Sequence, residues 1–119
     1  MSASTSAAVT TVHLSGHLTA QALAAALAPV TMYVEAGRRV LLLVDCRTMT
    51  GYDAEARALF VSWNKAHRHR VDRVAIVTDN RLWHMVISAM SLASRQEMRP
   101  FADPAGAERW LEERMVKAS

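Results

Sequence analysis

The chain has 119 residues, 51% of them hydrophobic, with 14 Lys and Arg against 11 Asp and Glu and a formal net charge of +3. That is about the size of one domain that buries its own core without staples. Its single cysteine, Cys46, excludes an internal disulfide and gives no sign of an oxidising compartment, so a cytoplasmic location is expected. Charge is absent before Glu35, so the basic segment of a secretory leader is missing. Residues 18–34, rich in alanine and with Thr19, Gln21, Pro29 and Thr31 inside, make a poor bilayer span.

Residues 1–8 are small and lack periodicity, which predicts a flexible tail ahead of a single domain over residues 9–119. Residues 9–14 read as a strand whose better core face carries Val12 and Leu14, ending at Ser15-Gly16. Thr19 caps a helix with Leu23, Leu27, Val30 and Val34 at helical spacing, and Gly37 stops it. Pro29 removes a backbone donor inside that pattern and predicts a kink or break near Ala28.

The longest apolar run of strand type, residues 40–44, suits a strand covered on both faces. Asp45 is expected to close it, Gly51 to supply a turn, and Asp53 to cap a helix over residues 53–68. The face shared by Ala56, Leu59, Phe60, Trp63 and His67 should cover the sheet. A second buried strand, 71–78, precedes a helix opened by Asp79 or Asn80 that runs through Leu82, Val86, Ala89, Met90 and Ala93. Residues 97–102 make a short last strand. Asp103-Pro104 starts a final helix striped by Ala107, Trp110, Leu111 and Met115.

This alternation predicts an α/β fold, a mainly parallel sheet of four to five strands with helices packed on it. The order of elements, together with LLLVDCRTMTGYD, VAIVTDNRLW and FADPAGAERWLEE, resembles the SpoIIAA-like branch of the STAS superfamily over roughly residues 9–113. The resemblance implies a small regulatory or ligand-binding domain without catalytic activity, often dimeric, in a group compared with lipid-binding CRAL-TRIO domains. Relatives of that kind that act as anti-anti-sigma factors carry a phosphorylatable serine directly after an aspartate at the start of the helix. Here Asp53 is followed by Ala54, which accepts no phosphoryl group, and the hydroxyls of Thr48 and Thr50 lie upstream.

Ligands of open α/β folds bind at the carboxyl edge of the sheet. His17, Asp45, Arg47, Asp79, Arg81 and Asp103 all follow expected strands, so up to three carboxylates and a histidine could converge there on a divalent ion. Aspartates at such positions more often cap a helix or turn. Asp45 beside Cys46 is the wrong neighbour for a nucleophilic thiolate. No phosphate loop, paired-cysteine or zinc-binding pattern occurs, and no cofactor is expected.

Lys65, Arg68, Arg70 and Arg73 form a candidate anion patch, weighed against ordinary basic residues at a helix C-terminus. No specific nucleic-acid contact is expected. Between Arg81 and Arg95 there is no Asp, Glu, Lys or Arg, and the apolar residues of that helix exceed the arc that one sheet face covers, leaving His84, Ser88 and Ser91 as a thin polar stripe. A homodimer partner is the expected cover for the surplus, ahead of an apolar ligand between helix and sheet and then a membrane surface. The candidate ligand or partner surface is therefore Asp45, Arg47, Asp53, Asp79, Arg81, Trp83, Ile87 and Met90. The expected function is a regulatory or protein-interaction module that is not an enzyme. An apolar-ligand or lipid-binding domain at the membrane periphery is the alternative, and a small metal-assisted enzyme at Asp45 and Asp79 is the third reading.

Overall fold

The computed structural model describes residues 8–118, with side-chain detail to residue 113. Four strands, β1 (Ala8–Leu18), β2 (Val40–Tyr52), β3 (Val71–Val77) and β4 (Met98–Phe101), alternate with α1 (Ala20–Glu35), α2 (Ala54–His67), α3 (Leu82–Ser94) and α4 (Pro104–Ala118). The strands lie in the order β1-β2-β3-β4 and every pairing is parallel. The predicted α/β architecture is thus present, with four strands among the described residues. Residues 1–7 of the expected tail lie outside the described residues, and Ala8 already pairs with Val40.

Consecutive right-handed crossovers put successive helices on one face of a parallel sheet. Accordingly, Leu23, Leu27, Val30 and Val34 of α1, Ala56 and Phe60 of α2 and Ile87 of α3 pack with Val12, Leu14, Leu42, Val44 and Ile76. Among the described residues no strand follows β4, and α4 lies on the opposite face. There Ala107, Trp110 and Leu111 cover Leu41, Leu43, Ala75 and Val77. Alternating residues of the run 40–44 therefore feed two cores, as the period of a strand requires.

Several local expectations change. Asp45 does not close β2, which continues through Thr48 and Thr50 to Tyr52 because β1 runs beside it to Leu18. Register shifts at His13/Ser15 and Gly16/His17 let the two strands bend together. Gly51 supplies no turn but a close approach, since a Cβ there would stand 3.2 Å from His17 Nδ1. α1 passes through Pro29 without a break, because that residue lies on the exposed face where the freed carbonyl meets water. Thr19 caps α1 as expected, its Oγ1 accepting the Ala22 N–H at 3.1 Å. No helix among the described residues is long and apolar enough to cross a membrane.

The expected stripe of α3 turns inward only in part, at Val86 and Met90. Leu82, Ala89 and Ala93 face out, whereas Trp83, Ile87, Met90 and Ser94 turn inward. Its ends set this phase. Asn80 Oδ1 accepts the Leu82 N–H at 3.0 Å, and at the other end Ser94 Oγ donates to Met90 O at 2.7 Å. Ser91 Oγ donates to Gln96 O at 2.6 Å, and buried Gln96 donates to Val71 O at 2.9 Å. Ser91 is therefore part of the anchor to β3 and not of an outer polar stripe. Asn64 of α2 is likewise buried, donating to Phe60 O at 2.8 Å.

Candidate functional site

The polar residues at the carboxyl edge separate into two pairs. Asp45 of β2 is buried, and Arg47 clasps it with Nε at 3.0 Å and Nη2 at 2.8 Å, while the Arg47 backbone N–H reaches Oδ1 at 3.1 Å. His13, opposite Asp45 in the strand register, places Nδ1 3.5 Å from Oδ2. His17 instead meets Asp53, Nε2 to Oδ1 at 2.6 Å. Asp53 is the N-cap of α2 by backbone conformation, but its carboxylate makes no cap hydrogen bond. His17 thus does not join Asp45, and among the described residues no group of three or more His, Cys, Asp or Glu is placed to hold a metal ion. Both oxygens of Asp45 are occupied by a cation, so the Asp45–Asp79 metal reading finds no free ligand there.

The Arg47 hydrogen bonds hold the Asp45 carboxyl below its ordinary range, against an opposing push from burial. Arg47 in turn is held more firmly protonated, chiefly by Asp45 and further by Asp103 and Asp79. A lowered folded-state value means that the ionised form favours the fold. This contribution is fully present above about pH 4 and is lost as pH falls through the folded value. Unfolding measured between roughly pH 6 and pH 2 should show wild type losing stability more steeply than Asp45→Asn. Equal slopes would remove the pair from the acid response.

Strand alternation places Asp45 on the α4 side of the sheet with Leu41 and Leu43, and Cys46 on the opposite side. Cys46 is buried, and its thiol is pushed up to about 12 by burial, with Asp45 adding to the effect. It is held protonated at neutral pH and serves as apolar floor, which removes it as a nucleophile.

That floor belongs to a cleft of about 70 Å³ between α2 and α3, at the end of the sheet. Leu14, Val44, Cys46 and Ile76 form its base. Ala56 and Phe60 of α2 face Trp83, Val86, Ile87 and Met90 of α3 across it. Leu18 and Tyr52 also line it, and the Tyr52 ring meets Trp83 edge-on with centroids 5.9 Å apart. Apart from Arg57, every lining side chain is apolar or, in Tyr52 and Trp83, largely so.

The candidate residues accordingly divide. Trp83, Ile87 and Met90 come together in the cleft; Asp45 and Arg47 pair on the other side of the sheet; Asp53 stands near the cleft mouth with His17; Asp79 and Arg81 are exposed. The anion patch loses Arg73, which is buried under α4. Its Nη1 donates to Trp110 O at 2.7 Å, Nε donates to Glu97 at 3.1 Å, and the guanidinium lies 4.4 Å from the Trp110 ring centroid. Arg70 donates to Gly37 O at 3.0 Å, and Lys65 and Arg68 remain exposed. The sequence reading missed Arg57, whose visible signal was its place one helical turn beyond Asp53 and adjacent to inward Ala56.

The SpoIIAA-like family model matches residues 9–112. The crystal structure of an uncharacterized protein from Shewanella loihica PV-4 with a SpoIIAA-like fold is similar, with a TM-score of 0.67 and 22% identity over 85% of this chain and 81% of that one. At that identity the likeness concerns the fold. No curated protein matches the chain.

Proposed function

The chain belongs to the SpoIIAA-like family, and from that premise we propose that it is a non-enzymatic regulatory module that binds an apolar ligand group between α2 and α3. The observation that carries this reading is the apolar cleft itself, lined by the carboxyl-terminal parts of β1 and β2 together with α2 and α3, toward the sheet edge where open α/β folds receive ligands. Alanine at position 54 leaves no hydroxyl for phosphorylation at the start of α2, which favours a ligand over a phosphoryl group as the controlling signal. A buried methylene is worth ~0.8 kcal/mol, so roughly three or four carbons inserted into the cleft would contribute about 3 kcal/mol.

Titration with 1-hexanol, followed by amide chemical shifts, tests the reading. Shifts confined to Leu18, Cys46, Phe60 and α3 are expected, and the same protein isolated from its own host should carry a small-molecule adduct in native mass spectrometry. Unmoved cleft amides would sink the proposal.

A second reading, protein interaction or homodimerisation, draws on a different surface. Leu82, Met85 and Leu92 are 80%, 80% and 82% exposed and follow one outer stripe of α3. A dimer in the same mass spectrum that Met85→Lys dissociates would support it, whereas a monomer at all concentrations would not. Peripheral membrane contact would use this stripe too, because Trp83 turns into the cleft.

A further inference from the structure

Arg57 is the one charged side chain among the residues lining the cleft. It is exposed, and among the described residues its guanidinium enters none of the salt bridges. The nearest acid in its own turn, Asp53, is engaged by His17 at 2.6 Å. Arg57 therefore lines the apolar hole with its hydrocarbon stem, while its uncommitted guanidinium lies beyond the apolar lining, in the N-terminal part of α2.

Size makes that position consequential. A cavity of about 150 Å³ encloses benzene, while this cleft offers about 70 Å³. A ligand longer than a few carbons must leave its remaining atoms at the mouth. What they meet there decides the class of ligand, and a guanidinium favours a carboxylate or phosphate that accepts two parallel N–H bonds.

We propose that the cleft selects an amphiphile with one anionic head group, its apolar end between α2 and α3 and its head held by Arg57. This rests on the apolar-ligand reading and adds the head group to it. The competing use of Arg57 is as a hydrocarbon stem that covers apolar surface while its charge stays in water, and that use predicts no preference for an anion.

The test compares hexanoate, hexyl phosphate and 1-hexanol, titrated against wild type, Arg57→Gln and Arg57→Lys, with the cleft amide shifts as readout. Arg57 is exposed, so both variants should fold. Wild type is expected to bind the two anions about tenfold more tightly than the alcohol, in line with a charge-assisted pair. Arg57→Gln should bring both anions to the level of the alcohol and leave the alcohol unchanged, and Arg57→Lys should retain part of the preference. If wild type binds alcohol and anions equally, or if the preference survives in Arg57→Gln, the head-group assignment is overturned while the apolar site stands. If none of the three moves the cleft amides, the apolar site fails and the assignment fails with it. A preference for hexyl phosphate alone or hexanoate alone supports the assignment and identifies the head.

Discussion

Leu111→Ala is expected to lower the unfolding free energy by about 2–5 kcal/mol, a large part of the ~5–15 kcal/mol typical of a domain. Leu111 is fully buried, and among the described residues α4 is the helix that covers the sheet face formed by Leu41, Leu43, Ala75 and Val77. Truncation leaves a hole between one helix and a sheet. The helix cannot easily settle into it, because Arg73 fixes the neighbouring residue twice, by a 2.7 Å hydrogen bond to Trp110 O and by its position over the Trp110 ring. Where the surroundings relax least, the cost of a cavity is greatest. Urea unfolding should show a lower midpoint with an unchanged slope. Leu92→Ala, on the exposed stripe of α3, serves as the contrast and should stay within about 0.5 kcal/mol of wild type. Should the two variants lose equal stability, α4 is not the cover described for this face.

Elements of the chain with a single periodic stripe were legible in the sequence. Leu23, Leu27, Val30 and Val34 define one face of α1 without competition, and all four are buried. Asp103 and Pro104 mark the start of α4, where Asp103 Oδ1 accepts the Gly106 N–H at 2.8 Å. By contrast, α3 is apolar on most sides, so periodicity could not choose its phase. The Gln96 hydrogen bond to Val71 O, distant in sequence, ties the end of the helix to β3, and Ser91 joins it locally through Gln96 O. Arg73 shows the same limit. A basic residue among basic neighbours reads as surface, and only the return of α4 over the sheet supplies the carbonyl and ring that bury it. The separation of Asp45 from Cys46 was accessible, since strand neighbours point to opposite faces. The sequence reading set convergence at the carboxyl edge behind capping, and what it missed there was His17, which meets Asp53. Its other error, the length of β2, came from treating Asp45 and Gly51 as terminators, although parallel pairing with β1 overrode both signals.

Val86→Trp should weaken 1-hexanol binding by at least tenfold and leave the fold intact. Val86 lines the cleft from α3 but is only half-buried, so an indole there can fill open space without being driven wholly into the core. Overpacking of a closed site costs about 1–3 kcal/mol; a side chain with one face toward solvent should stay near the low end. The loss of binding is larger because it removes the apolar contact itself. If about 3 kcal/mol comes from the inserted carbons, complete exclusion is worth roughly a hundredfold in affinity. Leu82→Trp places the same ring one turn earlier on the exposed side of α3 and should leave binding unchanged. That pair separates occupancy of the cleft from a general effect of added aromatic surface. Equal binding by Val86→Trp and wild type would move the ligand out of the space between α2 and α3. Loss in both variants would instead place it on the outer stripe of α3, where Leu82, Met85 and Leu92 lie.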